Sequence, residues 1–191
     1  MSEKFLVNDK GVILFMERLT INQGMIKIAE LERNYRYKLP YVMNRKKASI
    51  TYILEADGSR FDCDEKFDFE KELNELISLS EVIEKIKTAI SYANNTTVIE
   101  VSGEKTSIQG ALNKVKLKRD FVFQLEDLLQ NVKVSKERKV DAAATSVYYK
   151  VTELNFSRED MEKMVEDLNK EILEIEVAIN KANNETYIEI N

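Results

Sequence analysis

Ala89-Ile90-Ser91-Tyr92-Ala93-Asn94-Asn95-Thr96-Thr97-Val98-Ile99-Glu100-Val101 returns 89 residues later as Ala178-Ile179-Asn180-Lys181-Ala182-Asn183-Asn184-Glu185-Thr186-Tyr187-Ile188-Glu189-Ile190, with eight of thirteen positions identical. Unrelated segments of this length agree at about one position, so the recurrence is the most specific feature of the chain. Each copy reads as the end of an amphipathic helix passing directly into a strand. Asparagine tolerates the left-handed conformation used at helix C-caps, and threonine suits the extended segment that follows. The helix-to-strand unit, over about 79–101 and 168–190, is therefore predicted to be used twice. Pairing of its two strands, Val98–Val101 with Tyr187–Ile190, at the same end of a bundle is open to them in two ways, through pseudo-symmetry within the chain or between subunits.

Working outward, Phe69, Leu73, Leu76, Leu79, Ile83, Ile86, Ile90 and Ala93 recur by threes and fours, which predicts a long helix over about 68–94. The same spacing in Met161, Met164, Leu168, Ile172, Ile175, Ile179 and Ala182 predicts the last helix, with Ser157 as its N-cap and Asp160 at the third position. Between them, Thr106 and Gln109 have capping-box spacing and open a third stripe of Ile108, Leu112, Val115, Val122, Leu125, Leu129 and Val132. A first helix is expected from about Thr20, with Pro40 kinking or dividing it. Short strands are predicted around Tyr52–Leu54, before the turn Asp57-Gly58, and over Val147–Leu154, while 134–145 reads as a connection. Five glycines and one proline in 191 residues argue against a turn-rich all-β fold. The expectation is a mainly α protein: an antiparallel helical bundle or coiled-coil hairpin with short β-strands at the helix ends. Residues 1–24 form an N-terminal arm or small hairpin, and 25–191 a single helical domain.

The absence of histidine excludes a Ser-His-Asp triad, a Cys-His pair and a His-ligated zinc site. The glycines, at 11, 24, 58, 103 and 110, form neither of the standard phosphate-cradling patterns. Net charge of -5 favours neither nucleic acid nor an acidic mimic of it. Its distribution is uneven, however. Acids crowd residues 55–75, whereas Lys114, Lys116, Lys118 and Arg119 form a basic cluster; opposite patches of this kind are solvated faces or places where copies of one chain meet. A lone cysteine, Cys63, and no secretory h-region point to a reducing cytoplasm, and no apolar run reaches the ~18–20 residues of a membrane span.

The run Asn94-Asn95-Thr96-Thr97, then Ser102-Gly103-Glu104-Lys105-Thr106 leading into Ala111-Leu112 and Lys118-Arg119-Asp120, then Tyr148 to Leu154 and a final helix ending Ile179 to Thr186, resembles the uncharacterised bacterial family often labelled septicolysin. The resemblance covers about 70–190, and extends to 25–70 through Ala56-Asp57-Gly58 and Phe69–Leu76. Residues 1–24 have no counterpart. It implies a helical, oligomeric protein of unsettled activity, and no catalytic residue is carried over. The cytolysin-like label finds nothing here that resembles a membrane-inserting hairpin.

Two interpretations of the repeat stay open. Asn94, Asn95, Asn183 and Asn184 are helix caps and nothing more. Alternatively Asn94, Asn95, Thr97, Asn183, Asn184 and Thr186 converge on a polar ligand, with Lys116 or Arg119 supplying charge. The function expected is that of a non-catalytic, homo-oligomeric binding or interaction protein without a cofactor. The first alternative is a protein that sequesters a small anionic, nucleotide-like molecule, as a phage counter-defence protein would. The second, least favoured, is a metal-assisted hydrolase using the acidic 57–68 segment, whose spacing does not fit an EF-hand.

Overall fold

The computed structural model describes residues 5–7, 13–15, 18–63, 67–141 and 146–190, with side chains at 18–63, 67–140 and 147–190. The elements, in chain order, are β1 (Phe5–Val7), β2 (Ile13–Phe15), β3 (Arg18–Thr20), α1 (Ile21–Val42), β4 (Tyr52–Leu54), β5 (Arg60–Asp62), α2 (Phe69–Thr96), β6 (Val98–Val101), β7 (Glu104–Ser107), α3 (Ile108–Asn131), β8 (Ser135–Asp141), β9 (Ser146–Thr152), α4 (Arg158–Glu185) and β10 (Tyr187–Glu189). The protein is thus mainly helical, with short antiparallel strand pairs. It divides into two compact units, one of residues 1–96 with 183–191 and the other of 97–182.

In the first unit, β1 and β2 pair antiparallel in the N-terminal arm, and β3 leads without a loop into α1. Thr20 Oγ1 accepts from the Gln23 amide at 3.2 Å while Gln23 Oε1 accepts from the Thr20 amide at 2.9 Å, so two donors of the first turn are satisfied reciprocally. α1 continues through Pro40 and ends two residues later instead of dividing there. A proline this close to the C-terminus interrupts only the final turn. β4 and β5 form a hairpin whose turn places Gly58 at φ +88, a conformation that suits glycine. α2 then runs antiparallel to α1: Lys87 meets Glu32 at 2.5 Å, and Lys38 bridges Glu72 and Glu75 at 2.9 and 2.5 Å. The unit is completed by β10, which pairs antiparallel with β3 in the register Tyr187↔Thr20, Ile188↔Leu19.

The second unit repeats this order of parts. β6 turns through Ser102 and Gly103, both at positive φ, into β7, and Ser107 caps α3 by accepting from the Gly110 amide at 3.0 Å. The capping residue is therefore Ser107, one position beyond the expected Thr106, which lies in β7. β8 and β9, seven residues each, pair as an antiparallel hairpin. The stretch from 135 to 141, expected to be a connection, is a strand because β9 supplies its hydrogen bonds; its own composition, rich in Lys, Arg and Glu, carries little β signal. α4 starts with Ser157 Oγ accepting from the Asp160 amide at 3.2 Å, as the sequence predicts. It runs antiparallel to α3, since Arg158 donates to the Leu129 carbonyl at 2.9 Å while Lys118 reaches Glu171 and Arg119 reaches Glu176.

Buried positions in the two halves correspond. Ile83, Ile86, Ile90 and Ala93 of α2 and Ile172, Ile175, Ile179 and Ala182 of α4 are all buried and lie 89 residues apart. Ile21, Gly24 and Val42 of α1 match Ile108, Ala111 and Leu129 of α3 at a separation of 87. Ile99 in β6 and Ile188 in β10 are buried alike.

Two expectations are corrected. The strands Val98–Val101 and Tyr187–Ile190 do not pair with each other within the chain; β6 pairs with β7 and β10 with β3. For β6 the reason is chain economy, since β7 lies only a two-residue turn away and the closure entropy is small. The four asparagines are not left-handed caps either. Ser102 is the one non-glycine residue at positive φ among the described residues, and both Asn-Asn pairs sit inside the last helical turns.

Candidate functional site

At each helix-to-strand junction the chain repeats one pattern of exposure. Ala93 is buried, Asn94 half-buried, Asn95 and Thr96 exposed, Thr97 half-buried, Val98 exposed and Ile99 buried, and the same order holds from Ala182 to Ile188. The motif threonines have a shared backbone role: the Thr97 carbonyl accepts from the Ile108 amide at 3.1 Å, and the Thr186 carbonyl from the Ile21 amide at 3.0 Å. Each therefore ties the exit of one helix to the entry of another. The exposed asparagines differ in partner: Asn95 Nδ2 donates to the Ser91 carbonyl one turn back at 2.8 Å, whereas Asn184 Oδ1 accepts from Asn22 Nδ2 of α1 at 2.9 Å. The inner pair differs. Asn94 Oδ1 and Asn183 Oδ1 are both buried, and neither accepts a hydrogen bond among the described residues.

An unpaired buried acceptor costs about 1–3 kcal/mol in lost hydration. Replacing Asn94 or Asn183 by leucine is accordingly expected to leave stability unchanged or raise it by about 1 kcal/mol, read as the midpoint of urea unfolding. A clear loss of stability in either variant would contradict this expectation.

The basic residues singled out in the sequence lie elsewhere. Lys116 is exposed on α3, and Arg119 is engaged with Glu176. Counting from Ile108, which bonds to Thr97, they lie about 12 and 16 Å along the helix, so the structure does not bring them to the threonine end of the motif. The residues that α3 does gather are Lys114 and Lys118, one turn apart. They line a groove of about 550 Å³ in the second unit, together with Val101, Ser102, Glu104 and Ile175 among others. Lys114 Nζ lies 2.7 Å from Glu104, Lys118 bonds Glu171, and Ser102 Oγ donates to Glu174 at 2.9 Å. Both belong to the basic cluster read in the sequence, and their i, i+4 spacing beside the buried stripe Ala111, Val115 and Val122 is the signal that sets them apart from Lys116 and Arg119.

These ion pairs set the protonation of the surface. The Lys114 ammonium holds Glu104 below the usual carboxylate range, Lys87 does the same for Glu32 and Lys38 for Glu75, while Glu75 and Glu72 raise Lys38. A carboxylate with a depressed folded-state pKa contributes stability that is complete above its unfolded value and is lost as pH falls through the folded one; a raised lysine contributes below its unfolded value and loses the contribution as pH rises through the folded one. Stability is therefore expected to hold level between about pH 5 and pH 10 and to fall beyond either end. Glu75 and Glu104 are exposed and Glu32 and Lys38 half-buried, so the fall should be shallow and should diminish in high salt. Urea midpoints measured across pH at low and high salt check this.

The acidic 57–68 segment is occupied by local bonds. Asp57 Oδ1 accepts from the Ser59 amide at 2.8 Å, Asp62 from Arg60 at 2.9 Å, and Asp68 Oδ1 from the Lys71 amide at 3.0 Å. Asp64 lies outside the described residues. Among the described residues no group of three or more Asp, Glu or Cys side chains is arranged to hold a metal ion. No helix among them is long and apolar enough to cross a membrane.

No family model matches this chain, and no curated relative matches it. Among solved structures, the chain is similar to a functionally unknown conserved protein from Corynebacterium diphtheriae, at 17% identity and a TM-score of 0.51, over 90% of this chain and 99% of that one. At that identity the likeness extends to the fold alone.

Proposed function

We propose that this is a non-catalytic interaction protein that works as a homo-oligomer. The observation that carries this reading is the amount of apolar surface its helices leave uncovered. Leu117, Phe121 and Phe123 of α3 are 70%, 50% and 66% exposed, and Leu173 and Val177 of α4 are 61% and 60% exposed. Isolated exposed apolar residues are ordinary, but turns of one helix carrying several of them favour burial against another chain. On this reading the helices continue into a bundle with coiled-coil-like seams, the matching buried positions of the two halves reflect an internal duplication, and the single exposed thiol of Cys63 fits a reducing cytoplasm. Multi-angle light scattering tests it. A mass above 22.2 kDa across the micromolar range is expected; a strict monomer would remove the support.

A second reading, capture of a small anion, is favoured by the Lys114 and Lys118 groove. Both lysines line it, and each is held by a carboxylate that a phosphate or carboxylate of a ligand would replace. A thermal shift with a nucleotide, lost in Lys114→Ala with Lys118→Ala, is the expected result. No shift with any nucleotide would set this reading aside.

A further inference from the structure

We infer that copies of this chain join head to tail through their two β-hairpins, the β8–β9 hairpin of one copy covering the β4–β5 hairpin of the next. The inference rests on the homo-oligomeric reading above and names the surfaces that meet.

Directly paired residues of an antiparallel ladder share a face, as do residues two apart along a strand. One face of the β8–β9 hairpin therefore holds Val140 with Val147, Arg138 with Tyr149, and Lys136 with Val151. Every one of these side chains is exposed. Lys136 lies over the Tyr149 ring at 5.0 Å, and Arg138 forms no ion pair among the described residues. The acid Glu137 is on the opposite face, bonded to Lys139 at 2.8 Å. The result is an apolar sheet face with two cations and no acid.

On the β4–β5 hairpin the corresponding face carries Ile53 with Phe61, 58% and 54% exposed. The register extends past the strand ends, because the Glu55 amide donates to the Ser59 carbonyl and the Cys63 amide to the Thr51 carbonyl, both at 2.9 Å. Glu55 and Cys63 therefore flank Ile53 and Phe61 on that face. The hairpin's one cation, Arg60, is spent on the other face, bonded to Asp62 and stacked 3.9 Å over Tyr52. Glu55 forms no ion pair among the described residues.

The two faces are complementary: each exposes apolar side chains, set beside Lys136 and Arg138 on one and beside Glu55 on the other. Over the whole hairpins the balance is also opposite, four bases to two acids in 135–152 and one base to three acids in 52–62. Association buries the aliphatic and aromatic side chains and pairs Arg138 and Glu55, which form no ion pair among the described residues. A surface that meets a different surface of the next copy leaves one hairpin open at each end, so the assembly closes into a ring or continues as a filament.

Cys63 gives the test, because the one thiol of the chain is exposed and lies on the proposed face. The full chain, mixed in equal parts with its heavy-isotope form, is treated with a short thiol-to-amine cross-linker. Mixed-isotope links from Cys63 to Lys136, with Lys139 or Lys150 of the same hairpin, are expected. Light scattering should show that Arg138→Glu weakens assembly at least tenfold, that Glu55→Arg does the same, and that the two together restore it. Circular dichroism of each variant confirms that the helices remain. An oligomer whose Cys63 links fall on lysines outside 133–150, or only within one copy, overturns the hairpin contact and leaves self-association standing. A chain that stays monomeric overturns both.

Discussion

Replacing Ile21 with alanine is expected to lower the folding free energy by about 2–5 kcal/mol, and replacing Ile108 by the same amount. Both are fully buried, and both are the first residue of a helix entered directly from a strand. Each also donates its amide to the threonine carbonyl of an Asn-Asn-x-Thr motif, so the side chain is fixed between the exit of one helix and the start of another. Truncation removes three carbon atoms from a site whose surrounding backbone is tied by hydrogen bonds and has little freedom to collapse. Because the two positions correspond, the losses should be alike, and urea unfolding of the two variants checks this. A loss below about 1 kcal/mol at either site would mean that the junction is loosely packed.

Gly24 should be nearly as sensitive, for the opposite reason. A Cβ there would stand 2.9 Å from the Ile188 δ-methyl and 3.2 Å from that of Ile90, the two side chains that join α1 to β10 and α2. Both contacts are with the far ends of flexible chains, and alanine adds about 1 kcal/mol of helix propensity, so Gly24→Ala should be close to neutral. Gly24→Leu has no such escape. Its additional carbons enter filled space and are expected to cost about 2–3 kcal/mol through overpacking. The corresponding residue in the second unit is Ala111, already buried with its methyl group. Thermal melts of the alanine and leucine variants separate the two effects, and a leucine variant as stable as the parent would contradict the close approach.

Two of the ion pairs that cross between helices occupy corresponding positions in the two units. Glu32 of α1 meets Lys87 of α2, while at the corresponding positions Arg119 of α3 meets Glu176 of α4. The charges are exchanged. Exposed pairs of this kind contribute only about 0.2–1 kcal/mol each. Their use is discrimination, because placing α1 against α4, or α3 against α2, in the same register would set like charges together.

Much of this architecture is legible along the chain because it rests on local chemistry. The apolar spacing of α2 and α4, the Ser157 cap and the Asp57-Gly58 turn each act within a few residues, and periodicity reports them directly. The Asn-Asn-x-Thr repeat likewise marks two equivalent junctions. What the repeat could not disclose is the use of its residues: the threonines act through backbone carbonyls, which no side-chain pattern reveals, and Asn94 and Asn183 are set apart from Asn95 and Asn184 only by burial.

The amino-acid order alone determined that four amphipathic segments would be helical, that a strand would directly follow the second and the last of them, and which histidine-dependent chemistries were impossible. Tertiary structure decided which strand each of those strands joins, that the charged run 135–141 is half of a hairpin, and that Lys114 and Lys118, not Lys116 and Arg119, line the groove. The division has one cause. Helix periodicity is stored in residues three and four apart, whereas strand pairing and groove formation depend on partners distant in the chain, whose hydrogen bonds and burial leave no local trace.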